Sequence, residues 1–127
     1  MSIPADTKPG SEYIQIMRNG DIMIVLPAPE IEELPSSVIE TAAQVVLSPL
    51  KSQPASQVIF DLSRVSFFGS EFISFLLRCH VIVKKHDSEM VLASVSSRVR
   101  ELLRQTALDT LWAIYDNRAQ ALAALSG

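Results

Sequence analysis

Apolar and polar side chains alternate through Tyr13-Ile14-Gln15-Ile16-Met17, the period of a strand with one wet face. Asp21-Ile22-Met23-Ile24-Val25-Leu26 follows as a β-branched, mostly apolar run. Asn19-Gly20 lies between the two, and both residue types tolerate positive φ, so the pattern predicts a tight antiparallel hairpin. Pro27-Ala28-Pro29 stops the second strand. The period then changes to that of a helix over Pro35 to Ser48, where Val38, Ala42, Val45 and Val46 share a face and Ser37 with Glu40 has capping-box spacing. From Pro49 to Gln57 the chain is polar and carries Pro49 and Pro54, which predicts a loop.

Val58-Ile59-Phe60-Asp61-Leu62 is short and almost wholly apolar, as a central strand covered on both faces would be. A helix is predicted over Ser70 to Lys85, with an inward stripe of Ile73, Leu76, Leu77, His80 and Val83 or Lys84. Phe72 and Phe75 fall beside that stripe; they are either further core or an aromatic docking patch at the helix start. Val91-Leu92-Ala93 is the next strand. Ser96 and Ser97 can cap a helix reaching Thr106, with Val99, Leu102 and Leu103 inward. Leu111 to Tyr115 predicts a last strand, and Asp116 or Asn117 can cap a closing helix over Arg118 to Leu125. The order β-β-α-β-α-β-α-β-α implies right-handed crossovers between parallel strands after one antiparallel hairpin. The expected object is an α/β domain over residues 11–127, a mixed sheet of about five strands with about four helices, preceded by a flexible arm from Met1 to Gly10.

Composition narrows the chemistry. The chain has 127 residues, 48% of them hydrophobic, which suits one core. Its net charge is −3 and its longest basic run is Lys84-Lys85, so a nucleic-acid partner is not expected. A single cysteine, Cys79, precludes a disulfide within the chain and fits a reducing compartment, and no apolar leader opens the sequence; a cytoplasmic location is the expectation. No apolar run approaches the roughly 18 residues a bilayer requires, so membrane insertion is not expected. Two histidines, His80 and His86, and one cysteine give no zinc-ligand spacing. His80 reads as a core or boundary residue and Cys79 as a small buried hydrophobe. The four glycines form neither a dinucleotide fingerprint nor a phosphate-binding loop, so no metal and no cofactor is expected. No Ser, His and acid set has nucleophilic spacing, and the chain does not read as an enzyme.

The stretch Val58 to Leu77, VIFDLSRVSFFGSEFISFLL, resembles the signature of STAS domains. There a buried strand ends in Asp-Leu-Ser-x-Val, and an apolar pair followed by Asp-Ser-Ser-Gly opens the next helix. The run from Arg98 to Leu125 is similar to the same family's later helix, Thr-Gly-Leu-Asp turn, short strand and Ala-Leu helix. The resemblance implies the SpoIIAA-like STAS fold and an anti-sigma factor antagonist in a partner-switching pathway. Its partner would be an anti-sigma factor with serine kinase activity, or a related regulator. Ser70 falls on the phosphoacceptor position, at a helix start where unpaired N–H groups and the positive dipole end tolerate the nearly two added charges. Gly69, Ser70, Glu71, Phe72 and Phe75 are the implied docking residues, with Asp61 and Ser63 supporting the loop. Ser63, Ser66 and Ser74 are weaker acceptors by position. Three residues depart from the family: Gly69 replaces an Asp, Glu71 a second Ser, and Phe72 a Gly. These departures keep open a second reading. In it the chain is an unphosphorylated scaffold or assembly subunit of a signalling or lipid-transport complex, with Phe72 as a permanent anchor.

Overall fold

In the computed structural model, which describes residues 10–53, 55 and 57–126, the hairpin forms as β1 (Ile14–Asn19) antiparallel to β2 (Ile22–Pro27). Asn19 pairs with Ile22, so the loop residues are Gly20 and Asp21, and Gly20 supplies the positive φ of 59° that the turn needs. A 3-10 turn over Pro29–Glu33 leads to α1 (Ser36–Ser52). Then come β3 (Gln57–Asp61), α2 (Ser70–Lys85), β4 (Glu89–Ala93) and α3 (Ser97–Gln105). A second 3-10 turn, Leu108–Thr110, precedes β5 (Ile114–Tyr115) and α4 (Arg118–Ser126). The sheet has five strands in the order β1-β2-β3-β4-β5, antiparallel only at β1–β2 and parallel elsewhere. The α/β architecture expected from the sequence is the one observed. Of the Met1–Gly10 arm, residues 1–9 lie outside the described residues, and Gly10 is packed against α1, where an added Cβ would come within 2.6 Å of the Ala42 Cα.

The central strands are apolar because both of their faces are covered. Met23, Val25, Val58, Phe60 and Leu92 point to the main core, beneath α1, α2 and α3. Ile22, Ile24, Ile59, Val91 and Ala93 point the other way, where Ala121 on α4 and the flanking Leu122 and Leu125 cover them. Successive residues of each strand thus divide between two cores, as the pleat requires.

Four sequence expectations are corrected. First, α1 continues through Pro49, where a loop was expected. An interior proline forfeits one backbone bond and costs about 3 kcal/mol. The extra turn buries Leu50, a gain of about 1.5–3 kcal/mol, and Pro49 sits near enough to the helix end for the Gln53 N–H still to donate to the Pro49 carbonyl. Second, the Ser37–Glu40 capping box does not form: Pro35 is the N-cap, and the Glu40 carboxylate instead takes Arg78 of α2 at 2.6 Å. Arg78 holds the Glu40 carboxyl below the usual carboxylate range. Third, β5 is two residues long, because Leu111 is still held in the preceding 3-10 turn, its N–H donating to the Leu108 carbonyl.

The fourth correction concerns α2. Its buried stripe is Phe72, Phe75, Leu76, Cys79 and Val83, whereas Ile73, Leu77 and His80 are only half-buried. Phe72 and Phe75 are core residues, not an exposed patch. Phe72 stacks against Phe68 at 4.7 Å and Phe75 at 5.4 Å, and Phe75 meets Phe60 edge-on at 5.8 Å. The spacing i, i+3, i+4, i+7, i+11 is that of one helical face. Cys79 lies on it, and burial pushes its thiol well above the ordinary range, so it is an unreactive hydrophobe.

At the end of α3, Ala107 adopts a left-handed conformation, φ 62°, and its N–H donates to the Arg104 carbonyl. That place suits glycine. Ala107→Gly should therefore raise stability by up to about 1 kcal/mol, read as a higher urea midpoint at unchanged slope. A lower midpoint would show that chain entropy outweighs the relief of strain.

Candidate functional site

Three connections meet at the carboxyl ends of the parallel strands: the 3-10 turn after β2, the loop 62–69 after β3, and residues 94–96 after β4. In open α/β sheets that edge is where partners are met. The middle loop is anchored from below by Leu62, Val65 and Phe68, each almost fully buried. Ser63, Arg64, Ser66 and Gly69 stay exposed between these anchors.

Polar bonds fix the loop from three sides. From behind, the buried Asp61 carboxylate accepts the Ser63 N–H at 3.0 Å and the Arg118 Nε–H at 2.7 Å. From the β2 side, the Glu32 carboxylate accepts the Ser66 hydroxyl at 3.1 Å and the Phe67 N–H at 3.0 Å. From the β4 side, the Ser96 hydroxyl donates to the Ser66 carbonyl at 2.8 Å while accepting the Val99 N–H at 3.1 Å, so one side chain both caps α3 and holds the loop. Ser94 has φ 60°, a conformation that costs a non-glycine residue energy, and it directs the chain from β4 towards that cap. Arg98 lies over the Phe67 ring, 4.6 Å from its centre.

On this support sits the start of α2. Gly69 is the N-cap and brings no side-chain acceptor; Ser70 occupies the first helical position. The Ser70 hydroxyl is exposed and takes part in no hydrogen bond with the described residues. The first intrahelical bond is Ile73 N–H to Gly69 carbonyl, so the Ser70, Glu71 and Phe72 N–H groups point out of the helix end unpaired within it. Glu71 is exposed and accepts the Ser36 hydroxyl of α1 at 2.9 Å. Phe72 turns away into the core, so its replacement of the family's Gly adds no surface here. Ser74 lies one turn on, in a groove of about 370 Å³ between α1 and α2, with Glu40, Glu71 and Arg78 on its walls. On the other side a groove of about 420 Å³ runs past Phe67, Arg98 and Leu102 along α3. The surface is therefore acidic towards Glu30, Glu32, Glu33 and Glu71, and basic towards Arg64, Arg98 and Arg100.

Of the residues singled out from the sequence, Asp61 and Ser63 are joined by a hydrogen bond behind the loop, Gly69, Ser70 and Glu71 stand at the start of α2, and Phe72 and Phe75 lie in the core. Sequence reasoning missed Glu32, Arg118 and the loop-holding role of Ser96, which join the loop from 30 to 57 residues away along the chain. Among the described residues no three His, Cys, Asp or Glu side chains converge as metal ligands, and no helix is long and apolar enough to cross a membrane.

Comparison with known proteins agrees with this geometry. No curated protein matches the chain by sequence. An anti-sigma-factor antagonist (STAS) domain protein from Planctomyces limnophilus superposes with a TM-score of 0.79 at 28% identity, over 90% of this chain and 98% of that one. The anti-sigma factor antagonist SpoIIAA in its unphosphorylated form superposes at 0.77 with 16% identity, over 90% and 96% of the two chains. The Bacillus cell fate determinant SpoIIAA in its phosphorylated form gives 0.70 with 15% identity, over 88% and 98%. The STAS domain model matches residues 13–121, which takes in all five strands and all of the site just described, and the chain belongs to the STAS domain family.

Proposed function

We propose that this chain is a protein-interaction module of the anti-sigma factor antagonist kind, with the loop 62–69 and the first turn of α2 as its docking surface and Ser70 as its phosphoacceptor. One observation carries the reading: a free, exposed serine hydroxyl stands at the first position of α2, on a loop held rigid from three sides. Rigidity lowers the ordering cost of docking. The partner is an anti-sigma factor with serine kinase activity or a related regulator; it supplies the nucleotide chemistry and this chain the acceptor. That SpoIIAA occurs in unphosphorylated and phosphorylated forms supports a switch in this fold. A phosphoryl group on Ser70 would be tolerated by the free N–H groups of α2 and would repel acidic or apolar partner surface.

A second reading, the permanent scaffold, is favoured by Gly69, which leaves no acid immediately before the acceptor. It loses its anchor, because Phe72 is buried. Mass spectrometry of the chain isolated from its native cells separates the two. The switch expects phosphate on the peptide bearing Ser70 and none after Ser70→Ala. Absence of phosphate under every growth condition would leave the scaffold. Ser70→Glu should weaken partner binding at least about tenfold, or about 1.4 kcal/mol, in a titration with the purified partner.

A further inference from the structure

Trp112 is the only tryptophan of the chain, and it is 3% exposed. Its indole N–H donates to Nδ1 of His80, on α2, at 3.0 Å, and the two rings meet edge-on with centres 5.9 Å apart. An indole N–H can only donate, so His80 Nδ1 must carry a lone pair; a protonated imidazole has a hydrogen on both nitrogens and cannot accept. Protonation therefore replaces one hydrogen bond with two opposed donors and leaves a buried N–H unpaired.

The bond joins α2 to the segment that carries the short edge strand β5. The chain from Ala107 to Tyr115 starts at a positive-φ hinge and contributes a two-residue edge strand. Beside the short β4–β5 ladder, the Leu92 N–H donates to the Ala113 carbonyl at 2.9 Å and the Ser94 N–H to the Tyr115 carbonyl at 3.0 Å. A two-residue strand at a sheet edge is among the first parts of a fold to open. We propose that the His80–Trp112 hydrogen bond is a proton-sensitive latch, and that acidification releases residues 107–115 from α2.

The groups facing His80 are consistent with this direction. Burial, and then Lys84 one turn along α2, hold His80 below the ordinary histidine range; Glu89, at the start of β4, acts the other way. Lys84 and Glu89 are themselves paired at 3.0 Å, which reduces the effect of both. From the segment itself, His80 meets the uncharged Trp112 ring. The sign follows from linkage. His80 takes its proton in the open or unfolded chain before it does in the closed one. Stability is thus full above the ordinary histidine value of about 6.5 and falls as pH drops through it. The fall ends once His80 is protonated in the closed form as well.

The single tryptophan makes the latch directly readable. Emission of the full chain, followed from about pH 8 to about pH 5, should fall and shift to the red, with a midpoint below about 6.5. His86→Gln should keep the response, since His86 is exposed beyond the end of α2. His80→Asn should abolish it, because the amide oxygen stands near the place of Nδ1 and accepts without titrating. In wild-type protein, two-dimensional NMR should show the His80 ring and the Trp112 indole N–H titrating together, with protection of the Leu92 and Ser94 amides lost over the same range. A flat wild-type emission, a response that survives His80→Asn, unequal NMR midpoints, or unchanged protection at those two amides would each overturn the latch.

Discussion

Phe72→Ala is expected to lower the unfolding free energy by about 3–5 kcal/mol, the cost of removing a large aromatic from a packed core. The ring is 1% exposed and sits between Phe68 and Phe75, so truncation removes its buried area and two aromatic contacts at once. A domain of this size is stable by about 5–15 kcal/mol in total, so roughly a fifth of that margin or more rests on one side chain. Phe72→Gly should cost about 1 kcal/mol more, since glycine in the first turns of a helix adds backbone entropy to the cavity. Phe72→Leu should recover more than half of the loss. Urea unfolding of the three variants decides the matter. A ring that served docking instead would give the opposite result: a stability change within about 0.5 kcal/mol and a fall in partner affinity.

The same residue shows what the sequence could and could not say. Periodicity placed every α-helix and strand among the described residues, though neither 3-10 turn, because burial on two sheet faces forces the apolar runs of β2 and β3, and burial on one face forces the helical spacing of α2 and α3. Where it misplaced the stripe on α2, two stripes were available. Ile73, Leu76, Leu77, His80 and Val83 or Lys84 make one, and Phe72, Phe75, Leu76, Cys79 and Val83 the other; they share Leu76, and Val83 where the first ends there, and differ by a rotation of the helix. Which of them faces the sheet is set by partners such as Phe60 and Phe68, and pairing across the fold leaves no local mark. The end of α1 was hidden for a related reason: Pro49 is a strong local stop signal, and it was overruled by the burial of Leu50. At the site, Asp61, Ser63 and Ser70 were legible because they are close along the chain. Glu32 and Arg118 are ordinary exposed-type residues in sequence, and only the meeting of three connections at one sheet edge gives them work.

Asp61→Ala should destabilise the protein by about 1–3 kcal/mol. The carboxylate is 3% exposed and has two partners, and its loss strands both. The larger penalties known for broken buried ion pairs do not apply, because the Arg118 side chain is 33% exposed and can turn to water. Asp61→Asn should cost less, since an amide oxygen still accepts the Ser63 N–H. Arg118→Ala should also cost less than Asp61→Ala, and the double variant should cost clearly less than the two singles together, by about 0.5–3 kcal/mol of coupling. Strict additivity in denaturant titrations would show that the pair contributes no mutual energy. The functional consequence follows from position. Arg118 is the first residue of α4, and α4 covers the second core, so the pair joins the back of the sheet to the loop that carries Ser70. Neither Asp61 nor the second core lies on the proposed docking surface, yet Asp61→Ala should weaken partner binding. The loop must then be ordered at the moment of docking instead of beforehand, and ordering a loop residue costs about 1–2 kcal/mol. Unchanged partner affinity in a folded Asp61→Ala protein would mean that Glu32 and Ser96 suffice to hold the loop without it.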